Sequence, residues 1–517
     1  MSSITTEPRP SIAGLDRAIM LIPILTILLT LLYLATAGGN FPLDDSWIHQ
    51  TYARNLVEYG EWSFVPGQPS AASSSPLYTI ILAVGYRLGI PYQMWTHGMG
   101  IAALALTGLL GAALAGRIAP SSGVARPAAG LTITAAWHLI WAAVSGMETP
   151  IFAMFVMLSI WLAWRELDPR NAGGRSFILR GALFGGVSAL TTLTRAEGIL
   201  LTGLLGLMLV AARPGRSWSR LVLYGASAVT VYVLMLAPYL IYNLQVTGGL
   251  LPNTAAAKAA DATPLFFENY LWRLAYLLEP LAAGVQIVLL PGMAAYAVWL
   301  VRERKPILLA APLLWSILLI GLYAAALPLN IQHGRYLIPA LPSAILCGVV
   351  GIVWLLRQGR RSMLGRVLTR TLAAVAVVVT VTFALGLGLS AYRQDVAIVD
   401  QEMVASALWL KANIPPEDLL IVHDIGAVGY FAPRPLIDIA GLVNPEVIPL
   451  LFDPEGMWSL IEARGGRYLM ALDNQVPGED LSDPRLCRVF TTGGEAAQRA
   501  GGSNMSIYAL TFSGNCP

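Results

Sequence analysis

AIMLIPILTILLTLLYLATAGGNFPLDDSWIHQ, residues 18–50, decides how the rest of the chain is read. From Ala18 to Leu43 it carries no charge, and then Asp44 and Asp45 arrive side by side. An apolar run of that kind matches one bilayer crossing, about 20 residues at roughly 1.5 Å each. The end of the run, Ala35-Thr36-Ala37, imitates a leader-cleavage site, but leader cores are shorter, about 7–15 residues, so the segment is read as a retained first span. Two carboxylates therefore stand at the edge of a membrane, where ionised groups are costly unless they have a task.

The composition extends that reading to the whole chain. Of 517 residues, 56% are hydrophobic and 12% charged, about half the charged share of a soluble globular protein. The chain is a polytopic α-helical membrane protein, with about eleven transmembrane runs near residues 18–37, 97–116, 127–144, 150–164, 181–194, 198–212, 221–242, 282–301, 307–327, 337–356 and 371–391. A net charge of +3 is too small to imply a nucleic-acid partner; the placement of basic residues is the informative quantity. With the N-terminus inside, 19 Lys and Arg fall on the cytoplasmic side, from Arg9 and Arg17 through Arg170, Arg175, Arg213 and Arg216 to Arg366 and Arg370. Only Arg54, Arg87, Arg195, Lys258, Arg273 and Arg335 fall on the outer loops, the asymmetry that sets orientation. Counting LYTIILAVGYRLG, 77–89, as a span would invert everything after it and expose the basic loop RQGRRSMLGR; at 13 residues it reads as a juxtamembrane or re-entrant helix.

This assigns 1–391 to a membrane domain with a first external loop at 38–96, and 392–517 to a small extracytoplasmic α/β domain. In the tail, DLLIVHD, PLIDIAG, RYLMALD, CRVF and SIYALTF are short β-rich runs separated by Gly, Pro and Asp. Three cysteines build neither a disulfide scaffold nor a zinc motif. Cys347 lies in an apolar run, which leaves Cys487 and Cys516 as the pair for a disulfide in an oxidising compartment.

Threaded this way, the unusual polar residues sort to one side of the membrane. They are Asp44 and Asp45, Glu148 in SGMETP, Arg195 and Glu197 in LTRAEG, Asn253 and Lys258 in LLPNTAAAK, and His333 with Arg335 in HGRY. Ionisable groups from five external loops suggest one shared polar cavity. Helix capping accounts for one aspartate before WIHQTYARNLVEYG but not for two, because adjacent residues do not share a cap and each raises the cost of ionising the other. One of the pair is read as a base, and the other as orienting it or binding a metal. Glu148 precedes Thr149-Pro150, itself a sufficient cap and first-turn pair, so the glutamate is free for another use. Arg195 and Glu197 are too close in sequence for a helical i,i+4 ion pair and need partners elsewhere. Arg335 and Lys258 are suited to a phosphate, one through paired donors and one as a point charge; snorkelling to the interface is the alternative for both. His333, with no second histidine nearby, is a substrate-binding candidate and not a catalytic one.

An acidic pair in a long first external loop, a short loop with Glu, about eleven spans and a soluble tail resemble the GT-C glycosyltransferases. LDDSWIHQTYARNL, SGMETPIF, LTRAEGILL and GLLPNTAAAK resemble most closely the mycobacterial terminal arabinofuranosyltransferase family AftB, and more distantly protein O-mannosyltransferases and the aminoarabinose transferase of lipid A. HDIGAVGYFAPRPLIDIAGLVNP resembles segments after the last span of such enzymes. The resemblance implies a transferase in the bacterial inner membrane. It would move a sugar, a pentofuranose such as arabinose or a hexose such as mannose, from a polyprenyl-phosphate donor to a hydroxyl of a cell-envelope glycan or protein outside. It matches Asp44 to the first acid of the family's pair, hence to the catalytic base. Asp45 would then orient, bind acceptor or share a divalent cation (Mg, Mn or Ca), while Arg335 and Lys258 hold the departing phosphate and Glu148 and Glu197 hold sugar hydroxyls. Whether configuration is retained or inverted stays open. A polytopic lipid or solute transporter is the competing class, but it predicts related halves and midplane charges that the chain does not display.

Overall fold

The computed structural model describes residues 12–168, 177–212, 217–250, 252–512 and 516. Arg9, Arg170, Arg175, Arg213 and Arg216 of the inside basic set, and Leu251 of GLLPNTAAAK, lie outside the described residues. The fold is a polytopic bundle of apolar helices with a small mixed sheet at its C-terminal end.

Among the described residues, seven helical stretches are long and apolar enough to cross a membrane: Arg17–Thr36, Tyr92–Ile118, Phe177–Thr194, Trp218–Thr247, Ile307–Ala326, Gln332–Arg361 and Met363–Asn413. The pair Ala125–Ala135 and Trp137–Val144, bent by 55°, makes an eighth if counted as one span. The remaining three of the eleven predicted runs are helical but short. Thr149–Arg165 has 17 residues, Gly198–Ala212 has 15, and the run at 282–301 breaks into Val285–Val288 and Leu290–Arg302. Most of Thr149–Arg165 is buried against other helices, and a helix walled by protein is relieved of the length that lipid demands. Close crossings rely on small residues: a Cβ on Gly351 would lie 1.7 Å from the carbonyl oxygen of Gly292 on the facing helix.

The first loop is folded. It holds the helix Asp45–Glu58, an antiparallel hairpin of β1 (Ser63–Val65) and β2 (Gln68–Pro69), and the helix Pro76–Arg87. That last helix covers most of the ambiguous 77–89 run; its 12 residues reach only about 18 Å, short of a crossing. The helix Asp45–Glu58 buries Ser46, His49, Gln50, Thr51 and Asn55 along with Trp47 and Tyr52, so its polar residues face protein.

The five β-rich runs of the tail all form strands: β3 (Leu420–Val422), β4 (Leu436–Asp438), β5 (Tyr468–Ala471), β6 (Leu486–Thr491) and β7 (Ser506–Leu510). Their order is β4-β3-β5-β7-β6; β3 pairs in parallel with β4 and β5, and β7 runs antiparallel to β5 and β6. Every residue of β3 is buried, as a continuous apolar run in a parallel pair covered on both faces should be. The helix from Met363 runs through position 391 to Asn413, with π-turns at Phe383–Leu387 and Asp400–Val404, and so carries the chain from the bundle to within a short turn of β3. Cys487 and Cys516 are joined in a disulfide, and Cys347 is a buried free thiol.

Candidate active site

The two adjacent acids separate as soon as they enter the helix, because successive side chains there diverge by about 100°. Asp44 does not cap its own helix. Its Oδ2 accepts the amide of Gly426 at 2.6 Å and its Oδ1 that of Ala427 at 2.8 Å, the first turn of the tail helix Ile425–Phe431. Burial, and then the Asp424 carboxylate beside it, raise its pKa to about 8 against the pull of those amides.

Asp45 faces the other way. Its Oδ2 takes Nη2 of Arg335 at 2.5 Å and lies 3.8 Å from Nζ of Lys258. Burial alone would raise its pKa, but the two cations outweigh it and hold the carboxyl below the usual carboxylate range. Beside this cluster stands a second one. Glu148 Oε1 accepts from Nη1 of Arg195 at 3.1 Å and its Oε2 lies 3.6 Å from Nε2 of His49. Nη2 of Arg195 donates to Glu197 at 2.9 Å and to the Tyr323 hydroxyl at 2.8 Å, and that hydroxyl in turn donates to Glu197. The ring of Tyr336 is shared by three cations: Arg335 at 5.1 Å, Lys258 at 5.6 Å and Arg195 at 5.7 Å.

Both clusters open onto one cavity of about 410 Å³, which Asp45, Glu148, Arg195, Glu197, Lys258 and Arg335 line, so side chains from five separate loops converge. Leu236, Leu240 and Leu250 give it an apolar wall. Two buried polar atoms in it have no hydrogen-bond partner among the described residues, Nη1 of Arg335 and Oε2 of Glu148. Unmet donors and acceptors at that depth are costly, and in a cavity they mark where a ligand's polar atoms belong.

Three of the candidate residues lie outside this cavity. Asp44 does not line the cavity, because both its oxygens are committed to the tail amides. Asn253 opens the helix Asn253–Asp261 and stays outside the lining, which Thr254, Ala255 and Lys258 provide from the same helix. His333 is also outside: its Nε2 lies 2.7 Å from Asp395 Oδ2, which accepts from Trp141 Nε1 at 2.8 Å, and its ring abuts Trp137 and Trp141. Gln332, His333 and Gly334 are all left-handed, at φ 50°, 60° and 69°, so His333 pins the tight turn that presents Arg335.

His49, Tyr323 and Tyr336 line the cavity without having been singled out. His49 was within reach, since it lies four residues after Asp45 on the same helical face. Tyr336 ends the HGRY motif, whereas Tyr323 sits in an apolar helix with nothing to mark it. Among the described residues no group of three or more His, Cys, Asp or Glu side chains is placed to hold a metal. With Asp44 committed to amides and Asp45 to two cations, the acid pair does not fit the all-oxygen shell of a divalent cation.

Residues 390–508 match a family described as a domain of unknown function, DUF8728. No curated protein matches the chain. Among solved structures, the apo oligosaccharyltransferase of Archaeoglobus fulgidus superposes with a TM-score of 0.64 at 10% identity, covering 97% of this chain and 75% of that one. ArnT from Cupriavidus metallidurans bound to undecaprenyl phosphate gives 0.59 at 15%, covering 96% and 98%. Arabinofuranosyltransferase AftD from Mycobacteria gives 0.53 at 17%, covering 96% of this chain but 40% of that one. At such identities the likeness concerns architecture, and in architecture the chain has the GT-C fold.

Proposed function

We propose that the protein is a membrane glycosyltransferase that moves a sugar from a polyprenyl-phosphate donor to an acceptor hydroxyl at the extracytoplasmic face. The observation that carries this reading is the buried Arg335, with one nitrogen on Asp45 and Nη1 unpartnered, beside Lys258 in a cavity with an apolar wall. Such a site offers two cations to a phosphate and a greasy surface to the chain attached to it. The ArnT structure that shares the fold contains undecaprenyl phosphate, which supports the same ligand class.

The chemistry follows from the ion pairs. A donor phosphate entering the cavity replaces Asp45 as counter-ion to Arg335 and Lys258. Relieved of the two cations, the Asp45 carboxylate becomes more basic and accepts the proton of the acceptor hydroxyl as its oxygen attacks the anomeric carbon. The bond from that carbon to the phosphate oxygen breaks, and the departing polyprenyl phosphate keeps both electrons and stays paired with Arg335 and Lys258. The role of base thus passes from Asp44 to Asp45. Glu148, held by Arg195, presents its Oε2, which makes no hydrogen bond among the described residues, to a sugar hydroxyl, with Glu197 and Tyr323 behind it. The likeness of the loop motifs to AftB favours a pentofuranose as the sugar and a cell-envelope glycan as the acceptor.

The test is transfer from a panel of radiolabelled polyprenyl-phosphate sugars to glycan and peptide acceptors by purified wild type, Asp45→Asn and Arg335→Gln. Wild type transfers from at least one donor and both variants lose transfer. Absence of transfer from every donor, or an Asp45→Asn variant at the wild-type rate, defeats the reading.

A further inference from the structure

Asp44 is half of a clamp. The tail helix Ile425–Phe431 leaves amides unpaired at its start and carbonyls at its end, and the first loop supplies both partners. Asp44 takes the amides of Gly426 and Ala427. Arg54, about 15 Å further along the helix Asp45–Glu58, donates Nη1 to the carbonyl of Tyr430 at 2.8 Å and Nη2 to that of Gly429 at 3.1 Å. Side chains of the first loop therefore hold both ends of the short helix, a carboxyl at its amide end and, through charge-assisted bonds, a guanidinium at its carbonyl end. Between them Trp47 packs on Tyr430 and Phe431, at 4.9 and 4.6 Å between ring centres. The approach admits no side chain: a Cβ on Gly426 would lie 2.0 Å from the carbonyl oxygen of Asp44.

The tail also reaches the cation side. Gly441, at φ +78°, backs onto Ala257 of the helix that carries Lys258, and Leu442 lines the cavity. One folded unit thus touches both the element bearing Asp45 and the element bearing Lys258.

We infer that the C-terminal unit is a positioning element of the active site, clamped through Asp44 and Arg54, and that it sets Asp45 against Arg335 and Lys258. Asp44 and Arg54 are positioning residues; neither lines the cavity. This rests on the function proposed above, and its test separates the two.

Full-length wild type, Asp44→Asn, Arg54→Gln, Arg54→Lys, the Asp44→Asn/Arg54→Gln double variant and Asp45→Asn are compared by transfer kinetics, undecaprenyl phosphate affinity and amide hydrogen exchange. Asp44→Asn and Arg54→Gln each lower kcat by about tenfold with the shape of the pH–rate profile unchanged, and the double variant loses less than the product of the two because they act on one helix. Arg54→Lys recovers part of the loss. Exchange at Gly426 and Ala427 rises in Asp44→Asn. With Asp45 less firmly held against the cations, both variants bind undecaprenyl phosphate more tightly, in the direction of Asp45→Asn. Abolished transfer with a flattened pH profile in Asp44→Asn would make Asp44 the base and overturn the inference. So would wild-type kcat and affinity in Arg54→Gln while exchange at the tail helix rises. If wild type transfers from no donor, the function falls, and the clamp still stands or falls on affinity and exchange.

Discussion

Replacing Asp45 by Asn should improve ligand binding while abolishing turnover. The carboxylate lies 2.5 Å from Arg335 and 3.8 Å from Lys258 and is 29% exposed. At an effective dielectric constant of about 20 those separations correspond to gross attractions of about 7 and 4 kcal/mol. Desolvation cancels most of that, and removing one partner of a buried pair costs about 3–5 kcal/mol, because the remaining cations are left uncompensated. Without ligand, Asp45→Asn is therefore less stable than wild type by about 3 kcal/mol. A phosphate entering the variant no longer has to displace an anion. If half to all of the lost pairing becomes available to it, after the cost of reorganising the site, affinity for undecaprenyl phosphate rises by about 10- to 100-fold, or roughly 1.4–2.8 kcal/mol. Transfer falls by about 10²- to 10⁴-fold, the range for a lost general base. The assay pairs a binding titration of undecaprenyl phosphate in nanodiscs with thermal melting and radiolabelled transfer. The variant should gain more melting temperature from the lipid than wild type does. Weaker or unchanged binding in Asp45→Asn would refute the idea that Asp45 and the donor phosphate compete for the same cations.

Arg195→Met leaves the buried Glu148 and the partly buried Glu197 side by side without their shared cation and should cost about 3–5 kcal/mol in thermal melting, well beyond the effect of Glu148→Gln. In the tail, the hydrogen bond from His423 to Asp424 raises the histidine to about 9 from 6.5 although burial opposes it. A base raised in this way stabilises fully below its ordinary value and loses that contribution as pH climbs through about 9, so melting temperature should fall between those values in wild type but not in His423→Gln. Cys487→Ser opens a loop of 29 residues and should cost about 3.5 kcal/mol by chain entropy, read by denaturant unfolding of the variant against the oxidised protein.

Hydropathy and charge are properties of the chain taken in order, and the bilayer reads them in order too. That is why residues 18–50 and the basic loops were enough to identify a membrane protein, to locate all eleven helical runs, and to group Asp45, Glu148, Arg195, Glu197, Lys258 and Arg335, which line one cavity. Short β-rich runs between Gly, Pro and Asp likewise marked the five strands found among the described residues of the tail. What the order of residues could not carry is direction and distance across the fold. Asp44 and Asp45 are indistinguishable as a pair of letters, yet one meets amides 382 and 383 residues away while the other meets a guanidinium 290 residues away. His333 and Asn253 stand in motifs whose neighbours enter the cavity, and the tight turn of one and the helix start of the other leave both outside it. Thr149–Arg165 needs no full span because other helices surround it. Such outcomes depend on which long-range partner satisfies each buried polar group, and only the packed tertiary structure makes that choice.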